Sequence, residues 1–189
     1  MTTFTALFDA CVLYSAPLRD LLLRLAGTDL FRARWTTDIH GEWSRNLLAN
    51  RTDLDKVKLD HTIELINKSV PDCLVTEYKP IEVGLNLPDP KDKHVLAAAI
   101  RCNAGVIVTY NLKDFPAKEL DKYGVEAQHP DEFILHLYSL DPHAVCAAVK
   151  RQRMSLKNPP VAIEELLNTF LRAELAGTVA ELQQAVELL

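Results

Sequence analysis

The chain has 189 residues, 48% of them apolar and 25% charged, the balance of an ordinary globular protein long enough to bury a proper core. Its net charge of −5 argues against a bulk electrostatic grip on nucleic acid, although acidic metal ligands can lower a charge that bound cations reverse locally. Cys11, Cys73, Cys102 and Cys146 stand singly, which argues against structural zinc, and no apolar run nears membrane-spanning length. The N-terminus meets Asp9 too early for a secretory leader, so the expected address is the cytoplasm, away from membranes.

Residues 3–8 are a short apolar, β-prone run ending at Asp9, as a buried parallel strand would be. A helix follows, with Pro17 near its first turn, Leu18, Leu21, Leu22 and Leu25 on one stripe, and Gly27 at its end. Arg34, Trp35 and Thr36 read as a short strand or a loop, after which Thr37 or Asp38 caps a helix carrying Glu42, Trp43, Asn46 and Leu47. From Asp53 to Ser69, Leu54, Val57, Leu59, Ile63, Leu65 and Ile66 mix with charge as in an amphipathic helix. CLVT (residues 73–76) reads as a strand and Pro80 to Pro88 as a loop. Asp89 at the N-cap, Pro90 at the first position and Asp92 three residues on mark a helix start; this helix runs to Asn103, and Gly105 leads into a strand from Val106 to Thr109. After the turn NLKDFP (residues 111–116) come a brief helix near 117–122 and a last strand around Val125, Glu126 and Ala127, and Pro130 opens a helix through Leu140.

This alternation predicts a three-layer α/β/α domain over residues 1–140, with a mainly parallel central sheet. Residues 141–189 are expected to form a helical extension, a packing or dimerisation element. Asp141, Pro142 and His143 start its first helix, and Asn158, Pro159 and Pro160 break the chain. Ile163 to Leu175 is a second helix, and Gly177 with the box TVAE (residues 178–181) starts a third. The stretch KRQRMSLK (residues 150–157) is the one strongly basic cluster.

Ligands of α/β folds sit in the crevice at the carboxyl ends of the strands. Asp9 and Asn111 occupy such ends, Asp92 lies in the first turn of a helix entering the adjacent strand, and Glu42 lies one turn into its own helix. Carboxylates gathered from separate elements repel one another, and a hard divalent cation is the usual remedy. Each residue also has a plainer reading when taken alone. Asp9 caps the next helix with about equal standing, Glu42 is solvated, Asp89 is chiefly an N-cap, and Asp92 completes the capping box. Asn111 and Asp114 suit a turn. Only the combination points to a site.

Four pieces of the chain carry a family resemblance: FDACVL (8–13), EWSRNLL (42–48), DPKDKHVLAAA (89–99) and VIVTYNLKDF (106–115). Over roughly residues 4–135 the chain resembles the PIN-domain ribonucleases, including the VapC-type toxins of bacterial toxin–antitoxin pairs. The resemblance implies catalytic positions at Asp9, Glu42, Asp92 and Asn111, with Asp9, Glu42 and Asp92 as ligands of Mg²⁺ or Mn²⁺ and Thr109 as a supporting hydroxyl. Many members have aspartate where Asn111 stands; asparagine orients a water but adds no charge, so a second ion would need Asp89 or Asp114. The implied activity is metal-dependent hydrolysis of RNA phosphodiester bonds, leaving a 3′-hydroxyl and a 5′-phosphate, with an antitoxin protein and a second copy of the chain as expected partners.

Arg45, Lys93 and Tyr110 are the candidate RNA contacts, with Lys91, Arg101, Lys113, Tyr14 and Trp43 in reserve. Individually they also read as surface charges, and Trp43 as core. The departure at Asn111 leaves a second reading, a catalytically weak PIN-fold module that binds RNA or protein and regulates. An aspartyl-phosphate mechanism on Asp9 is disfavoured, because Cys11 stands where haloacid-dehalogenase-type phosphatases need a second aspartate.

Overall fold

The computed structural model describes residues 3–189. Strands β1 (Phe4–Phe8), β2 (Phe31–Arg34), β3 (Val106–Val108) and β4 (Glu126–Gln128) make one parallel sheet in the order β2-β1-β3-β4. That order reverses between β1 and β3. The two strands part their loops there, and the crevice beyond their carboxyl ends is where such folds hold ligands.

The two central strands, β1 and β3, are apolar on both faces. Phe4, Ala6 and Phe8 share one face of β1, with Phe4 paired in register with Phe31 and Ala6 with Ala33. Phe133, from a later helix, packs on this face with its ring 5.0 Å from Phe31 and 6.1 Å from Phe8. Leu7 and Ile107, also paired in register, face the other way and are fully buried. Apolar side chains on both faces need helices on both, which gives the three-layer α/β/α arrangement.

The helices before β3 are α1 (Ala10–Tyr14), α2 (Ala16–Ala26), α3 (Thr37–Asn50), α4 (Lys56–Ser69), α5 (Lys79–Glu82) and α6 (Lys93–Arg101). Leu18, Leu21, Leu22 and Leu25 of α2 are all fully buried, as their spacing requires, and Gly27 ends the helix. Between β3 and β4 lies α7 (Ala117–Leu120), and after β4 come α8 (Pro130–Leu140), α9 (Pro142–Ser155), α10 (Ile163–Arg172) and α11 (Ala176–Gln184). Among the described residues no helix is long and apolar enough to cross a membrane.

Several boundaries differ from expectation. Thr36, rather than Thr37 or Asp38, caps α3, its Oγ1 accepting the Ile39 amide at 3.0 Å. CLVT is not a strand of the sheet: only Leu74 bridges, to Trp35, between left-handed turns at Asp72 and Glu77 that leave no length for a ladder. The helix expected from Asp53 begins at Lys56 behind an Asp55 cap, and the expected loop from Pro80 holds the end of α5. The TVAE box does not start α11. The helix begins at Ala176, and Asp131 of α8 accepts the Gly177 and Thr178 amides at 2.8 and 2.7 Å. A carboxylate from another element thus supplies what the local box would have.

The last helices pack on the α/β layers. Helix α9 lies along α2, where Gln152 donates to the Pro17 carbonyl at 2.9 Å, and α11 lies along α8. Within the basic cluster Gln152 is therefore buried, while Lys150 and Arg151 face solvent.

Candidate active site

Asp9 leaves β1 and Thr109 leaves β3, and the pairing of those strands sets them side by side across 100 residues of sequence. Both readings of Asp9 hold at once. Its Oδ1 accepts the Ala10 amide at 2.6 Å, capping α1, and its Oδ2 accepts the Thr109 hydroxyl at 2.7 Å and the Cys11 thiol at 3.2 Å. A carboxylate offers about four lone-pair sites, so these three donors leave capacity for one more partner. Asp9 is only 4% exposed, and burial raises its carboxyl above the usual range against the pull of these hydrogen bonds.

The donors are themselves held. The Asn111 amide donates to Thr109 Oγ1 at 3.0 Å, and the Tyr110 amide to Cys11 Sγ at 3.3 Å. Burial, and then the charge of Asp9, pushes the Cys11 thiol up to about 12, so it stays protonated and remains a donor.

Around this buried corner opens a cleft of about 710 Å³ lined by Glu42, Asp89, Asp92, Asn111 and Asp114, together with Arg45, Lys91 and His94. Helix α6 runs back toward β3, so its start lies over the carboxyl edge of the sheet. Asp89 Oδ1 accepts the Lys91 amide at 2.9 Å, as an N-cap should. Asp92 does not complete a capping box: it precedes α6 and makes no side-chain capping bond, which leaves its carboxylate to the cleft. Its carboxyl is pushed up to about 6, by burial first and then by the charges of Asp9, Asp89, Asp114 and Glu42.

Glu42 is turned toward the cleft by its neighbour Trp43, which is fully buried and ties α3 to the core. The Trp43 indole donates to His40 Nδ1 at 3.0 Å, and His40 Nε2 lies 2.9 Å from Asn67 Oδ1, which also accepts from Trp35 at 2.8 Å. An Nδ1 that accepts carries no proton, so His40 is the neutral Nε2–H tautomer, in keeping with burial lowering its pKa. Asp38, one turn before Glu42, lines the same cleft but is paired: it accepts from Tyr78 and Lys79, and Lys79 above all holds its carboxyl below the usual range.

Two residues at the site escaped sequence reasoning, one in the cleft and one beside Asp9. His94 places Nε2 3.5 Å from Glu42 Oε2, and its buried Nδ1 has no partner. Cys11 read as a bland buried thiol. The usable signal was their spacing, each two residues after a carboxylate of the set. Among the proposed RNA contacts, Arg45 and Lys91 line the cleft, whereas Lys93 does not. Tyr110, also expected to meet RNA, is half-buried. Its hydroxyl donates to the Ala173 carbonyl at 2.7 Å and its ring meets that of His129 at 5.0 Å. Arg101 pairs with Glu77, both exposed, and Trp43 is core.

Among the described residues no three His, Cys, Asp or Glu side chains converge closely enough to enclose a metal ion unaided. The donor set nonetheless fits a hard cation. It is all oxygen, and repulsion among its members adds to burial in lifting Asp92 to about 6. Mg²⁺ in particular takes one or two carboxylates and keeps several waters.

Fold and site together define an α/β protein with a carboxylate cleft at the β1/β3 switch point. A family model described as "PIN domain" matches residues 5–113, more than half of the chain, and one described as "VapC50 C-terminal domain" matches residues 130–184. The chain belongs to the PIN domain family. It is 44% identical over 80 residues to a protein of Mycobacterium tuberculosis (strain ATCC 25618 / H37Rv) named "Putative ribonuclease VapC50", a match covering 42% of this chain and 47% of that protein. No solved structure matches the chain.

Proposed function

We propose that this chain is a Mg²⁺- or Mn²⁺-dependent endoribonuclease that acts in the cytoplasm as the toxin of a toxin–antitoxin pair. The observation that carries the reading is the gathering of Glu42, Asp89, Asp92 and Asp114 around one cleft beside the buried Asp9, with Asp92 lifted to about 6 by burial first and then by these acidic neighbours. Membership of the PIN domain family and the likeness to a protein named a putative ribonuclease support it.

In this reading Asp9 and Asp92 would hold the cation, with Glu42 beside them. Bound there, the ion supplies Lewis acidity, neutralising phosphate charge and making water more acidic. Glu42 takes a proton from the attacking water, whose oxygen bonds to phosphorus as the P–O3′ bond breaks; the departing 3′-oxygen takes its proton from solvent, leaving a 5′-phosphate and a 3′-hydroxyl. The 2′-hydroxyl is not the nucleophile, so RNA preference comes from binding. Arg45 and Lys91 at the cleft wall meet backbone phosphates. Asn111, exposed on the same cleft, orients a water without adding charge. An antitoxin protein and a second copy of the chain are the proposed partners.

Incubation of the purified chain with single-stranded RNA and Mn²⁺ tests the proposal. Cleavage that leaves 5′-phosphate ends and is removed by chelator is expected. Intact RNA together with no Mn²⁺-induced rise in Tm would reject the nuclease and favour the regulatory module that Asn111 first suggested.

A further inference from the structure

We infer that the C-terminal helices brace the candidate active site through Tyr110, a positioning residue that ties the segment 109–111 to the end of α10. Tyr110 sits between the two residues that organise Asp9. Its own amide holds Cys11 Sγ at 3.3 Å, and the next amide, of Asn111, holds Thr109 Oγ1 at 3.0 Å. Both held atoms donate to Asp9 Oδ2. The side chain points the other way, to the Ala173 carbonyl at 2.7 Å.

That carbonyl is available because α10 ends at Arg172 and Glu174 turns the chain in the left-handed region, at φ 59°. The far side of the strap is closed too. The His129 ring packs edge-on to Tyr110 at 5.0 Å, and His129 caps α8 through Nδ1 at 3.2 Å from the Asp131 amide. Asp131 in turn holds the start of α11 through the Gly177 and Thr178 amides. Tyr110 is therefore clamped between the first turn of α8 and the last of α10, two elements already bound together through α11. Contacts that orient a ligating carboxylate set its affinity and reactivity about 10–100-fold, and this strap orients the donors of such a carboxylate.

The kinetic arm of the test rests on the nuclease reading; the other arms do not. In the full chain, Tyr110→Phe keeps the ring on His129 and removes only the bond to Ala173. The expected result is amide exchange at residues 109–111 faster by about 10-fold, Mn²⁺ binding weaker by a similar factor, and kcat lower with KM for RNA little changed. Exchange in the buried middle of α6 should stay as in the wild type. His129→Ala, which removes the other jaw of the clamp, should loosen the same three amides. Gln152→Ala is the control, because it cuts a different tie between the C-terminal helices and the α/β layers; it should lower Tm but leave these amides and kcat alone. Wild-type exchange at 109–111 in Tyr110→Phe, or equal loosening there in Gln152→Ala, would overturn the brace. A wild-type chain that cleaves no RNA would reject the nuclease alone, since exchange and Mn²⁺ binding still decide the inference.

Discussion

The two carboxylates proposed to hold the cation live in opposite surroundings. Asp9 is nearly buried and receives three hydrogen bonds, from the Ala10 amide, the Thr109 hydroxyl and the Cys11 thiol. Asp92 is half-exposed, makes no side-chain capping bond, and faces Asp9, Asp89, Asp114 and Glu42. The protein has oriented one acid through its own donors and left the other crowded by like charge. The first is a structural member as well as a proposed ligand, so removing its charge is expected to disturb the fold. The second is held against repulsion, a cost that a cation would relieve and that selection for stability alone would remove.

Neutralising the two residues separately tests that contrast most strongly. Asp9→Asn and Asp92→Asn should each lower RNA cleavage at least about 100-fold, as loss of a group acting on the reacting centre does. Their stabilities should move in opposite directions. Asp9→Asn lowers Tm, because an amide cannot accept all three donors, whereas Asp92→Asn raises it slightly, by about 2 °C once solvent screening is allowed for. A fall in both would show that Asp92 is also a structural acid.

Thr109→Val comes next in size. It removes a donor to Asp9 and the acceptor of the Asn111 amide, both in a buried corner. A loss of about 1–3 kcal/mol by urea denaturation is expected, with activity reduced less than in the aspartate variants.

The pH dependence of the metal-free chain, read as the difference from Asp92→Asn, probes the Asp92 side, because Asp9, also raised by burial, titrates in both chains. Its folded carboxyl, at about 6, lies above the ordinary 3.8, so the proton is bound more tightly in the folded state. The stability this contributes is fully present below about 3.8 and is lost as pH rises through about 6. Within that window the apo Tm should fall relative to Asp92→Asn, while the rise in Tm on adding Mn²⁺ should grow. A flat difference between wild type and Asp92→Asn would remove the repulsion from the account.

The smallest effect is expected from Asn111→Asp. A further carboxylate on the same cleft should strengthen Mn²⁺ binding several-fold and lower the apo Tm a little. Unchanged Mn²⁺ affinity would mean that position 111 stands outside the metal's reach.

Much of the fold was legible from local chemistry. The leucine stripe before Gly27, the cap at Asp89 followed by Pro90, and the helix opened by Pro130 all appear where spacing and capping residues put them. The misreadings share a cause. CLVT has strand composition, but the turns at Asp72 and Glu77 allow it one bridge, and TVAE has the residues of a capping box that Asp131 makes unnecessary. In each case a partner distant in sequence overrode a local preference. Tyr110 shows the same for the site: exposed aromatic and rim aromatic look alike in sequence until Ala173 and His129 are placed beside one of them.

The sequence by itself determined most element types, the strand end at Asp9 and which acids were available, because periodicity, capping and burial preference act over a few residues. Only the tertiary structure decided that β1 and β3 are neighbours, that Cys11 and Thr109 therefore share one oxygen of Asp9, and that Asp92 stays uncapped among like charges. Those outcomes depend on sheet order and on contacts spanning up to 100 residues, for which no local pattern carries a signal.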